Sequence, residues 1–138
     1  MSTIRLARYA TMLLLILSSC EKNEETSLQR TDRLLKSVTW KLDKLTIDDI
    51  EEPLLYSGMT IVFSKDIYTS DNAEPVWPLL GLWTLENETT LVRDDGIAVN
   101  IQSIEPSRLV LMLQWNKTTF GGRGNSVTGM HVFELIPK

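Results

Sequence analysis

The sequence predicts an all-β domain, an antiparallel up-and-down barrel of about eight short strands. From Val38 onward, apolar and polar residues alternate with a period of two, which is typical of strands with one buried face. Short turn sequences separate these segments, and no long crossover helix is indicated. A barrel also removes the exposed edges of an open sheet, so we favour it and keep a two-sheet β-sandwich as the alternative.

The first element along the chain is a predicted export signal at residues 1–19. Arg5 and Arg8 form a basic start, and the apolar run 12–17 leads into small residues just before Cys20. A membrane-spanning helix needs about 20 apolar residues, so this run is too short to persist as a transmembrane anchor. We therefore expect a signal peptide that is cleaved before Cys20.

The cleavage site itself, Leu17-Ser18-Ser19-Cys20, resembles the lipobox of bacterial lipoproteins. The resemblance implies that signal peptidase II cuts before Cys20 and that this residue carries a diacylglyceryl group and fatty acyl chains such as palmitate. Cys20 is the only cysteine, so it has no disulfide partner within the chain. Glu21 follows it, which favours the outer membrane, with the periplasmic and cell-surface faces both open. The protein is thus expected to be a lipid-anchored membrane protein.

Residues 20–30 are predicted to form the lipidated cysteine and a flexible tether, because they are polar and lack apolar periodicity. The domain itself is expected at residues 31–138. At its start, Thr31 is predicted to cap a short helical turn that carries Leu34 and Leu35. This turn is too brief to be stable alone, so we expect it to pack on the barrel or plug it.

The strands are predicted from alternating residues and from the turns between them. Inward positions are expected at Trp40 and Leu42, at Met59, Ile61 and Phe63, at Trp83, at Ile97, Val99 and Ile101, and at Phe133. Further strands are predicted at residues 67–70, 82–86, 89–93, 108–115 and 128–136. Turns are expected at Asn87-Glu88, Asp95-Gly96 and Glu105-Pro106-Ser107. Consecutive strands should therefore be antiparallel neighbours.

Three short motifs resemble the lipocalin-like lipoproteins of gram-negative bacteria, which are small calycin-type barrels behind a lipobox. Val38-Thr39-Trp40-Lys41-Leu42 is similar to their first strand, although Val38 stands where lipocalins have glycine. Gly81-Leu82-Trp83-Thr84-Leu85 with Asn87-Glu88-Thr89-Thr90-Leu91 resembles their central hairpin, and Arg108-Leu109-Val110-Leu111 a later strand. The resemblance implies the barrel fold and assigns no reaction or ligand to named residues.

Charge and residue content argue against several classes of function. Removal of the leader leaves 12 basic and 18 acidic side chains, a formal charge of −6, so nucleic acid is not an expected partner. His131 is the only histidine, and no Gly-x-Ser-x-Gly motif accompanies it, so we expect no enzyme activity. One histidine and one lipidated cysteine cannot form a transition-metal site, and the acidic cluster 48–52 matches no calcium loop. No cofactor or metal is expected.

Three residues are ligand-binding candidates: Trp77, Phe120 and Arg123. Trp77 lies between two prolines, and Phe120 and Arg123 lie in a glycine-rich hairpin loop at residues 116–127. The alternative for Trp77 is that it packs over the barrel mouth as part of the core. We expect a module that binds a small apolar or amphipathic molecule. The alternative is a structural lipoprotein with a filled barrel whose loops contact a partner protein or a glycan.

Overall fold

The computed structural model describes residues 24–138. The predicted signal peptide, the lipobox and Cys20 lie outside the described residues, so the expectations for them stay predictions. The described part contains one helix followed by nine strands. They are α1 (Ser27–Leu35), β1 (Trp40–Ile47), β2 (Ile50–Glu51), β3 (Thr60–Phe63), β4 (Ile67–Asp71), β5 (Leu80–Asn87), β6 (Thr90–Arg93), β7 (Ala98–Glu105), β8 (Arg108–Trp115) and β9 (Gly129–Pro137).

Eight of these strands close into an antiparallel barrel, which confirms the predicted fold class. The strand order is β1-β3-β4-β5-β6-β7-β8-β9, and β9 pairs with β1 to complete the ring. The closing register runs from Trp40 opposite Pro137 to Ile47 opposite His131. The β-sandwich alternative is therefore not adopted.

The two-residue strand β2 was not predicted. It forms a hairpin on the far end of β1, with Ile47 opposite Ile50. Asp48 and Asp49 make the connecting turn with positive φ angles of 49° and 66°. Such angles at both central residues give the tight turn that matches strand twist, and aspartate tolerates them better than most side chains.

The helix begins earlier than the sequence predicted, inside the segment assigned to the tether. Thr26, not Thr31, is the N-cap, because Thr26 and Gln29 form a reciprocal capping box with each other's backbone amides. Leu34 and Leu35 are buried as expected. Thr31 is buried too, and its hydroxyl donates to the carbonyl oxygen of Glu88, 3.0 Å away. Thr31 thus fastens the helix to the barrel instead of starting the helix.

Strand alternation places the connections at two ends of the barrel. The capped end holds α1 and the turns 64–66, 88–89 and 106–107. The mouth holds the connections 48–58, 72–79, 94–97 and 116–128. The predicted short turns at Asn87-Glu88, Asp95-Gly96 and Glu105-Pro106-Ser107 all join neighbouring antiparallel strands.

The barrel interior is filled by its own side chains. Trp40, Phe63, Trp83 and Phe133 are all buried, as their alternation predicted. In β1 the inward phase changes from Trp40 to Leu45 because a register shift lies between Leu42 and Lys44. This bulge inserts one residue and moves the following side chains to the other face of the strand. The half of β1 nearer the mouth therefore also has one buried and one exposed face.

Candidate functional site

The mouth is built where two long connections meet. Gly124 lies against Glu74, and a Cβ atom on Gly124 would come within 2.0 Å of the carbonyl oxygen of Glu74. Only glycine permits this approach of the two backbones. Tyr56 joins a third connection to them, because its hydroxyl donates to the carbonyl oxygen of Asn125 over 2.8 Å. Burial raises the pKa of Tyr56 to about 12, so the hydroxyl stays protonated and remains a donor.

A groove of about 470 Å³, open to solvent, lies between connections 72–79 and 116–128. Its apolar walls are Pro75, Pro78 and Trp115, and its polar groups include Lys117, Arg123 and Glu74. The indole Nε1 of Trp115 donates to the carbonyl oxygen of Lys117 at 2.5 Å, which fixes the ring against the wall. A rigid aromatic face therefore lies beside two cationic side chains.

The two cations of the groove are not engaged in ion pairs within the described part of the chain. Across residues 24–138, neither Lys117 nor Arg123 has a carboxylate oxygen within 4.0 Å. A second groove of about 480 Å³ lies on the other side of Arg123 and Gly124, with Leu54 and Leu79 in its wall. Arg123 thus lines both concavities of the mouth.

The predicted candidates lie in different environments. Phe120 is 80% exposed in connection 116–128, and Arg123 lines the grooves in the same connection. Trp77 is fully buried, so it takes the alternative position over the mouth as part of the core. The structure brings Arg123 beside Trp115 and the prolines, and it places Trp77 beneath them.

The indole of Trp77 lies among aromatic rings from the strands. It makes edge contacts with Tyr68, Phe63 and Phe133, at ring-centroid distances of 5.4, 6.4 and 6.3 Å. The guanidinium carbon of Arg93 lies 4.8 Å from the centroid of the indole, a cation–π contact. A loop residue therefore occupies the centre of this part of the barrel.

Arg93 is a residue that the sequence analysis missed. It is 1% exposed, donates to the carbonyl oxygen of Val76 through Nη1 at 2.6 Å, and pairs with Asp95 through Nε and Nη2. The alternation in β6 does indicate its burial, because Arg93 lies two residues after the inward Leu91 and alternate residues of a strand share a face. Arginine is rarely buried, so residue type alone argued against an inward position.

His131 is buried on β9 and stacks on Phe133 with ring centroids 5.8 Å apart. Its Nδ1 donates to the carbonyl oxygen of Gly129 over 3.0 Å. Burial lowers the pKa of His131, because the charged imidazolium is poorly solvated there. Its Nε2 has no hydrogen-bond partner among residues 24–138.

Residues of the acidic cluster 48–52 form and stabilise the turn of the β1–β2 hairpin. Asp48 and Asp49 form the turn, and Oδ1 of Asp48 accepts a hydrogen bond from the amide of Met130 over 2.8 Å. In the part of the chain that the structure describes, no three histidine, cysteine or acidic side chains are grouped so that they could hold a metal ion.

A scan against protein-family models and searches of curated proteins and solved structures find no match to this chain. The closed eight-stranded antiparallel barrel is consistent with a calycin-like fold. None of the helices formed by residues 24–138 has the length and hydropathy of a membrane span. The residues of the mouth are therefore the candidates for function.

Proposed function

We propose that the protein is an outer-membrane lipoprotein, anchored through Cys20, whose lipocalin-like barrel binds a small amphipathic anion at its mouth. The apolar part of the molecule packs on Trp115, Pro75 and Pro78, and its acidic group lies near Lys117 and Arg123. The proposed activity is binding without chemical conversion. The observation that carries it is the groove in which a fixed indole lies beside two cationic side chains that have no ion-pair partner among residues 24–138.

The filled interior supports binding at the mouth over storage in a central chamber. Trp40, Phe63, Trp77 and Phe133 occupy the space that an apolar ligand would need. A barrel of eight strands holds either its own side chains or one small ligand. The groove, in contrast, has the volume of a small-molecule site and combines an apolar wall with a few polar groups.

The experiment is a titration of the protein with 4-phenylbutyrate, a water-soluble anionic amphiphile, followed by NMR. We expect a saturable shift of the Trp115 indole N–H resonance, because the ring of the probe would lie against that indole. Arg123→Gln should weaken the affinity by roughly fivefold, as expected for loss of one partly exposed charge contact of about 1 kcal/mol. Arg30→Gln removes the same charge at the capped end and should leave the affinity unchanged. Equal affinities of both variants would refute the proposal.

A second candidate function is contact with a partner protein or glycan through the mouth loops. Phe120 and Leu54 favour it, because both are large apolar side chains that project into solvent at this end. Phe120→Ser should then remove a partner that co-purifies from membranes, whereas Arg123→Gln should retain it. A co-purified partner that Phe120→Ser retains would count against this second function.

A further inference from the structure

We propose that Val76 and Trp77 form a displaceable plug over an interior binding site centred on Arg93. The site takes a planar apolar molecule that carries a carboxylate. It lies beneath the mouth groove and uses different side chains, so it goes beyond the proposed function. Three features of the plug support this site: it comes from a connection outside the strands, it covers Arg93, and buried polar atoms beside it lack partners among residues 24–138.

The plug comes from connection 72–79 between β4 and β5, and belongs to no strand. Few hydrogen bonds hold its backbone. The amide of Trp77 donates to the carbonyl oxygen of Ala73 over 2.9 Å, and the hydroxyl of Ser70 bonds the carbonyl oxygens of Trp77 and Pro78 at 3.0 and 2.8 Å. The β8–β9 ladder, in contrast, pairs seven residues along its length. Withdrawal of the plug would therefore break no strand pairing of the barrel.

The plug makes the two contacts that a ligand of this class would make. The carbonyl oxygen of Val76 accepts from Nη1 of Arg93, and the indole of Trp77 lies over the guanidinium. A guanidinium has five N–H groups arranged to hold a carboxylate through two of them. Three of the five groups of Arg93 bond Val76 and Asp95. A carboxylate in place of the Val76 carbonyl would add a charged partner, and a planar ring would replace the indole.

Two buried polar atoms at the plug lack a hydrogen-bond partner among residues 24–138: Nε1 of Trp77 itself and Oη of Tyr68, whose ring contacts the indole. Native interiors usually satisfy such atoms, so two of them at one contact mark a place where the closed state is not optimal. Withdrawal of Trp77 returns its N–H to solvent and gives a ligand access to the neighbouring tyrosine.

The first test is native-state hydrogen exchange on the full chain in detergent, with indole-3-acetate as the probe. A displaceable plug predicts that the Trp77 amide is at least tenfold less protected than the Phe133 amide of β9. Saturating indole-3-acetate should lower the protection of Trp77 further, because the probe binds the open state. Equal protection of the two amides, or no effect of the probe on Trp77, would overturn the proposal.

The second test is Ser70→Ala, which removes the hydroxyl whose single proton is shared between the carbonyl oxygens of Trp77 and Pro78 and so helps to hold the plug closed. This variant should bind indole-3-acetate five- to tenfold more tightly than the wild type, because the open state is more populated. A residue with only a structural role would not give tighter binding. Ser37→Ala, which removes a similar hydroxyl-to-carbonyl bond at the capped end, is the control and should bind as the wild type does.

The same titration separates the interior site from the mouth groove. Because indole-3-acetate is also a small amphipathic anion, its binding is followed at each site separately. An effect on the exchange of the Trp77 amide that strengthens with Ser70→Ala and is unchanged by Arg123→Gln supports the interior site. A shift of the Trp115 indole N–H resonance that weakens with Arg123→Gln, with no effect on Trp77, assigns the probe to the groove and overturns the plug. If 4-phenylbutyrate does not bind to the wild type but indole-3-acetate does bind at the interior site, the groove proposal is refuted and the plug proposal is not.

Discussion

Gly81 shows how a single residue without a side chain sets the position of an aromatic ring. Tyr68 stands opposite Gly81 across the β4–β5 pair, and its ring lies over the glycine. A Cβ atom at position 81 would lie 2.3 Å from Oη and 2.5 Å from Cε1 of Tyr68. The ring cannot shift freely, because it also packs on Trp77.

Gly81→Ala should therefore lower the free energy of unfolding by about 1–3 kcal/mol, the range found for overpacked cores. The measurement is the midpoint of urea unfolding. Thr84→Ala, an exposed position on the same strand, should change the midpoint little. If the two variants are equally stable, the ring of Tyr68 does not lie over Gly81.

His131 makes stability depend on pH. Its pKa is lowered in the folded state, so below the ordinary value of 6.5 the unfolded state binds more protons. Folding stability is then undiminished above pH 6.5 and falls as the pH drops below it, by at most about 1.4 kcal/mol per pH unit.

Urea unfolding at pH 7.5 and 5.5 measures this effect. His131→Gln should be less stable than the wild type at pH 7.5, because it disturbs the stack on Phe133. It should lose less stability than the wild type between the two pH values. The prediction fails if both proteins lose the same amount.

The buried side chains show what alternation in a sequence can and cannot establish. Period-two patterns identified Trp40, Phe63 and Phe133 as inward residues, because strand geometry is local. The burial of Trp77 depends on how connection 72–79 folds back over the barrel. The sequence therefore allowed both a ligand-binding position and a core position for this residue. Arg93 was missed because its neighbours in the fold, Val76 and Asp95, supply the partners that make its burial tolerable.

Helix α1 depends on tertiary contacts for its stability. Nine residues are too few for a stable isolated helix. Leu35 enters the barrel core, and its carbonyl oxygen accepts from the indole N–H of Trp40 at 3.0 Å. The sequence indicated the buried leucines but placed the N-cap five residues too late, at Thr31, because the polar residues before it show no apolar periodicity, and the helix begins instead at the Thr26–Gln29 capping box.

Leu35→Ala should destabilise the domain by about 2–5 kcal/mol, since it leaves a cavity between helix and barrel. Leu28→Ala is the matched control in the same helix, where the side chain is 43% exposed, and should have a small effect. Thermal unfolding followed by circular dichroism measures both. Similar losses in the two variants would contradict the docking of α1 through Leu35.

The strands were predicted almost completely, and the irregularities were not. Bulges near Asp43, Glu86 and Gln102 shift the register of β1, β5 and β7. Residue types in a single sequence do not indicate these bulges, because the bulges follow from the curvature that the sheet needs to close into a barrel. The same limit applies to β2, whose two residues are too few to show a period.

The substitution Cys20→Ala tests the predicted lipid anchor. The wild type should fractionate with membranes as the cleaved, lipidated form. The variant should accumulate as the uncleaved precursor, since signal peptidase II acts after lipid is attached. Mass spectrometry of the purified chain distinguishes the two forms. A variant that is processed and membrane-bound like the wild type would refute the lipoprotein assignment.

The position of α1 has a consequence for the direction from which a ligand arrives. With lipid on Cys20, six residue steps separate the anchor from the N-cap at Thr26, and a chain of this length reaches about 20 Å at most. Under the proposed anchoring, α1 at the capped end would keep that end within this reach of the bilayer, and the mouth would face the aqueous compartment. Molecules would then be captured from solution at the distal side, and those dissolved in the membrane would face the closed base of the barrel.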